Sequence, residues 1–160
     1  MKEYYFGSQG LLSLGFQGLF SYYLLSTTFF SEQTMEAELI RTFRFEAAHS
    51  LPNLPAEHKC RRFHGHSYRV DVHVVGPIDP VKGWVMDFGD IKRAVAPLLE
   101  ELDHRMLSDI AGLENSTSEM IAAYFWKRLK CVLPMLSAIT VWESDTSRCV
   151  YRGPSPTTRA

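Results

Sequence analysis

The chain has 160 residues, 46% of them hydrophobic and 12% aromatic, enough for one domain with its own core. Its 17 basic and 18 acidic residues nearly cancel, and no run of Lys and Arg lies along a helix or beside a stretch of aromatics, so counterion release offers little affinity for nucleic acid, which is excluded as a partner. The cysteines Cys60, Cys131 and Cys149 are odd in number and widely spread, unlike the disulfide framework of a small secreted protein, and fit a reducing cytoplasm.

Residues 1–34 differ from the rest, with no charge from Tyr4 to Ser31. A signal peptide would want a basic start and a small-residue cleavage site, yet Glu3 offsets Lys2 and the stretch runs into Thr27, Thr28, Phe29 and Phe30. A membrane-spanning helix would want about twenty predominantly apolar residues, and Gln9, Ser13, Gln17 and Ser21 interrupt the run. No membrane association is expected. Met35 directly precedes the first patterned segment, so 1–34 reads as a disordered or non-native extension, 35–153 as the domain, and 154–160 as a flexible tail.

From Arg41 to His49, Phe43, Phe45, Ala47 and His49 alternate with Thr42, Arg44 and Glu46, which predicts a strand whose inner face ends on His49. A loop punctuated by Pro52, Asn53 and Pro55 follows. Tyr68, Val70, Val72 and Val74 then alternate with Arg69, Asp71 and His73 in a second strand. After the turn at Gly76–Pro80, Asp87 caps a helix with Ile91, Ala94, Val95, Leu98 and Leu102 at helical spacing, which Pro97 should kink or shift. Ser116 with Glu119 forms a capping-box pattern for a second helix carrying Ile121, Tyr124, Phe125, Leu129 and Val132 up to Pro134. Ile139, Val141 and Glu143 share one face of a third strand, and Cys149 to Arg152 form a fourth. The predicted class is α+β, a four-stranded antiparallel sheet with two helices on one face.

His64 and His66, two apart on a strand, point to one face with Cα atoms about 6.6 Å apart, close enough to share a cation. His49 ends the neighbouring inward face, and three neutral imidazoles with an open fourth position are the pattern of a catalytic zinc site. His73, on the polar face, and His58, in the loop, are expected to be solvated. Cys60 lies four residues before His64 among Lys59, Arg61 and Arg62. It reads either as a thiolate base at the lip of the metal site or as a fourth, structural ligand. Cys131 and Cys149 read as core residues. Asp103 and His104 are adjacent after the first helix, where a carboxylate can orient an imidazole that shuttles protons. Glu143, on a face with Ile139 and Val141, would if buried have to be paired or bind something such as the guanidine-like edge of a heterocycle; the alternatives are that this face is open to solvent or that Arg148 pairs with it.

The segments FEAAHSLP, HKCRRFHGHSYRV, GWVMDFGDIK, LDHRML, LENSTSEMIA and VWESDTSRCVYRG together resemble the 6-pyruvoyl-tetrahydropterin synthase superfamily over about residues 39–153. The three-residue gap between Cys60 and His64 is similar to that of the bacterial 6-carboxy-5,6,7,8-tetrahydropterin synthases of queuosine biosynthesis, whereas the pyruvoyl enzymes carry a longer insertion there. The resemblance implies a zinc lyase acting on 7,8-dihydroneopterin triphosphate. It places the zinc ligands on His49, His64 and His66, the catalytic cysteine on Cys60, and the Asp-His pair on Asp103 and His104. It also places a pterin-anchoring glutamate on Glu143 and a substrate-side pair on Thr117 and Ser118. Ser116 departs from the Pro of close relatives. The resemblance further implies the T-fold, in which subunits join their sheets into a barrel, here a homohexamer built as a dimer of trimers. A small sheet with open edges has a physical reason to assemble so. A pyruvoyl synthase and a non-catalytic pterin- or zinc-binding module are the competing readings.

Overall fold

The computed structural model describes residues 34–155. The extension expected at 1–34 therefore falls, but for Thr34, outside the described residues, as does the tail beyond Ser155. Within them the chain forms β1 (Glu36–His49), β2 (His64–Pro77), α1 (Phe88–Leu102), β3 (Arg105–Met106), α2 (Ser118–Leu129), β4 (Leu136–Ser144) and β5 (Ser147–Tyr151). The α+β class is as expected, but the sheet has five strands in the order β3-β1-β2-β4-β5. Its extra strand, β3, runs parallel to β1 through Ala47 and Ala48. Two residues are too few to show a period of two in sequence. This strand is made instead by the turn before it, where His104 takes a left-handed φ of 57° and donates its backbone N–H to the Glu46 carbonyl.

β1 and β2 pair antiparallel over their full length, from Glu36 opposite Pro77 to His49 opposite His64. β1 is longer than its alternating core predicted, because pairing with β2 carries it back to Glu36. β2 carries Tyr68, Val70, Val72 and Val74, all fully buried, into a core shared with Ile91, Val95, Leu98 and Leu102 of α1 and Ile121, Ala122, Phe125 and Leu129 of α2. Removing the Phe125 ring from such a core would cost about 3–5 kcal/mol.

Asp87 caps α1 as expected, accepting from the Gly89 N–H at 2.7 Å. Pro97 neither ends nor delays α1: it sits on the exposed side and the helix runs through it to Leu102. α2 is capped by Thr117 rather than Ser116. Ser116 is fully buried, one residue before the cap, and the half-buried Thr117 is the residue whose hydroxyl meets the first turn. The helix also stops at Leu129, leaving Val132 57% exposed while Leu133 turns inward. Cys131 is exposed, not core, and Cys149 is half-buried against the core.

Candidate metal centre and its surroundings

The pairing of β1 with β2 ends at His49 opposite His64, and the alternation of β2 turns His66 to the same side. Their ring centroids lie 4.4 Å apart for His49 and His64, 5.1 Å for His49 and His66, and 5.0 Å for His64 and His66. One nitrogen from each ring falls within 4.8 Å of the others. Gly65 lets the strands approach closely between the two β2 histidines, since a Cβ there would stand a tight 3.2 Å from the Ala47 carbonyl oxygen.

Backbone carbonyls set the direction of two of these rings. His49 Nδ1 donates to the Ser116 carbonyl at 2.8 Å, and His64 Nδ1 donates to the Arg62 carbonyl at 2.7 Å. With Nδ1 carrying the proton, each neutral ring presents a bare lone pair at Nε2, and those two Nε2 atoms face each other at 3.0 Å. Facing lone pairs repel unless a cation lies between them. Ligands about 2.0–2.1 Å from a tetrahedral metal stand roughly 3.3 Å from one another, so the donor set fits a metal ion of zinc's size. The carbonyl-oriented imidazole is the usual support for such a ligand. His49 is 1% exposed, and its proton affinity lies below the ordinary 6.5, first because of burial and further because of His64 and His66, against the opposing pull of the Ser116 carbonyl. A neutral, metal-ready imidazole results.

Cys60 sits in a short 3-10 turn, Lys59–Arg61, fixed by its own N–H donating to His58 Nδ1 at 3.1 Å and its carbonyl accepting from the Leu51 N–H at 2.9 Å. It lines a surface groove with Lys59, Arg62, Phe63, His64 and His66. Its sulfur is not among the donors that cluster on a common point; those are the three histidines. Arg61 turns away to the Pro52 and Leu54 carbonyls. His58 is exposed as expected. His73 is not solvated: Nδ1 pairs with Glu38 at 2.9 Å and Nε2 with the Thr140 hydroxyl at 2.9 Å, because the polar face of the sheet carries a hydrogen-bond network of its own.

Asp103 and His104 pair at 3.0 Å. The Glu46 backbone N–H at 2.8 Å, and then His104, hold the Asp103 carboxyl below its usual range. His104 is well exposed and opens on a second groove, shared with His66. His66 thus borders both grooves, with Cys60 on one side and the Asp103–His104 pair on the other. Glu143 is half-buried rather than buried, and no ion pair with Arg148 forms; the Arg148 guanidinium lies 4.4 Å from the Trp142 ring centroid instead. Glu143 occupies a break in register between Trp142 and Ser144, close enough for its charge to act on Tyr68 and Cys149. Thr117 and Ser118 stand half-buried at the mouth of α2, Thr117 spending its hydroxyl on the Met120 N–H at 3.4 Å. Sequence reasoning missed the orienting carbonyls of Ser116 and Arg62, which no side-chain pattern could reveal.

The family model described as 6-pyruvoyl tetrahydropterin synthase matches residues 38–154. A 6-carboxy-5,6,7,8-tetrahydropterin synthase of Synechocystis sp. is 43% identical over 124 residues, covering 72% of this chain and 93% of its own. The human 6-pyruvoyl tetrahydrobiopterin synthase is 36% identical over 134 residues, covering 74% and 92%. The solved 6-pyruvoyl tetrahydropterin synthase of Caenorhabditis elegans superposes with a TM-score of 0.70 at 30% identity, over 76% of this chain and 98% of that one. The fold is the T-fold, and the chain belongs to the 6-pyruvoyl tetrahydropterin synthase family.

Proposed function

We propose that the protein is a zinc-dependent lyase that converts 7,8-dihydroneopterin triphosphate, with water, to 6-carboxy-5,6,7,8-tetrahydropterin, acetaldehyde and triphosphate, in the route to queuosine. The observation that carries this reading is the pair of facing Nε2 lone pairs on His49 and His64, 3.0 Å apart, with His66 beside them and no sulfur in the donor group. His49, His64 and His66 would hold the ion and leave a coordination position open, as catalytic rather than structural sites do. Bound zinc would polarise side-chain oxygens of the substrate and make neighbouring C–H and O–H groups more acidic.

The remaining chemistry falls to the chain itself. Cys60, in the groove beside His64 and His66, is placed to accept a proton from substrate. Asp103 fixes His104, which opens on the other groove bordering His66 and can pass a proton there. Glu143 accepts hydrogen bonds from the amino-pyrimidinone edge of the pterin, and Thr117 and Ser118 bound the substrate from the mouth of α2. The open edges of β3 and β5 suit assembly into a homohexameric barrel, in a cytoplasmic protein.

A 6-pyruvoyl-tetrahydropterin synthase is the second reading, favoured by the family model and the human relative. The short gap between Cys60 and His64 and the 43% identity to a carboxy-forming relative support the first. Mass spectrometry of the product from zinc-loaded protein decides between them: loss of the two side-chain carbons as acetaldehyde is expected, and their retention gives the pyruvoyl reading. Zinc-loaded protein that consumes no dihydroneopterin triphosphate would sink both.

A further inference from the structure

Tyr68 is a buried polar group that the chemistry above does not use. It is 0% exposed, and its hydroxyl has no hydrogen-bond partner among the described residues. Such an atom costs about 1–3 kcal/mol and calls for a reason. Its ring is clamped, stacked on Phe45 at 4.9 Å with planes 13° apart and set edge-on to His66 at 5.4 Å and His49 at 6.0 Å. The hydroxyl therefore cannot swing away to find water.

The register shows what it faces. Arg69 pairs with Trp142, so in an antiparallel ladder the next positions are Tyr68 on β2 and Glu143 on β4, on the inner face that also carries His66. The ladder stops there, and the break in register at Glu143 leaves that side chain out of the β4–β5 pairing with no ion pair among the described residues. At neutral pH a phenol keeps its proton, so the hydroxyl remains a donor.

We propose that Tyr68 is a positioning residue, whose hydroxyl donates to the Glu143 carboxylate and fixes the direction in which Glu143 accepts hydrogen bonds from a bound pterin. The proposal rests on Glu143 being the pterin anchor. It converts an orphaned donor into a charge-assisted bond made when the site is filled.

The test is neopterin binding to the zinc-loaded protein, with zinc stoichiometry and Tm measured alongside. Tyr68→Phe keeps the ring and removes the donor. Neopterin affinity should fall about 10–100-fold, the size of a hydrogen bond to a charged group, with KM raised more than kcat is lowered and zinc content unchanged. In a Glu143→Gln background the penalty of Tyr68→Phe should shrink, as it does for groups in contact. Equal affinity of Tyr68→Phe and the unsubstituted protein, or strictly additive penalties, would overturn the inference and leave the pterin reading standing. Loss of zinc in Tyr68→Phe would show that the tyrosine supports the histidines instead, and overturn it as well. Unsubstituted protein that binds no neopterin would overturn the pterin reading and this inference together.

Discussion

The two faces of the sheet treat histidine in opposite ways. On the outer face, His73 has both ring nitrogens matched, to Glu38 and Thr140, within a network in which Asp71 accepts from the Thr42 hydroxyl and the Trp142 indole N–H, each at 2.7 Å. On the inner face, His49 and His64 each match only Nδ1, and direct Nε2 at one another. A side chain that satisfies all its own polar atoms has nothing left to bind with. The inner histidines, and beside them the Tyr68 hydroxyl, are left unsatisfied at a cost to stability, and unmet hydrogen-bonding capacity of this kind distinguishes a site from a scaffold.

Substitution on the two faces should therefore separate metal binding from stability. His64→Ala should reduce zinc affinity by more than the roughly 10–100-fold lost when an outer partner of a ligand is removed, and abolish turnover, whereas His73→Gln should keep full zinc content by elemental analysis. Next in size is Cys60→Ser, expected to lower kcat by about 10²–10⁴ with zinc stoichiometry intact; zinc lost along with activity would make Cys60 a ligand instead. Asp71→Ala, on the outer face, should lower stability by about 1–3 kcal/mol in urea unfolding, because the Trp142 N–H and the Thr42 hydroxyl lose their acceptor, while metal content holds.

The smallest effect expected is one of pH on metal-free protein. His49 binds its proton less readily when folded than the ordinary 6.5, so below that value the unfolded chain takes up more protons than the folded one. Stability from this group is complete above pH 6.5 and drains away as the pH falls from there toward the lowered folded value. His49→Asn should flatten that part of the profile; an unchanged slope would show that burial of His49 is not its source.

Much of this was legible in the sequence. The alternation of Phe43, Phe45 and Ala47 with polar residues placed His49 on the inner face, and the spacing of His64-Gly-His66 pointed to the cluster the three histidines form. What escaped was carried by the backbone or by single residues. β3 is created by the left-handed turn at His104 and not by any pattern of its own. The α2 cap is Thr117 and not Ser116 because the helix begins at Ser118, while the carbonyl of Ser116 orients His49, a role invisible in a side-chain motif. Glu143 came out half-buried because the break in register between Trp142 and Ser144 lifts it from the regular ladder, and His73 found partners two strands apart that only the register could bring together.

His49, His64 and His66 are proposed to form a metal site that leaves a position open. X-ray absorption at the zinc edge of the loaded, substrate-free protein tests this directly. Three imidazole nitrogens at about 2.0–2.1 Å with a light oxygen ligand in the fourth place are predicted; a sulfur at about 2.3 Å would contradict it.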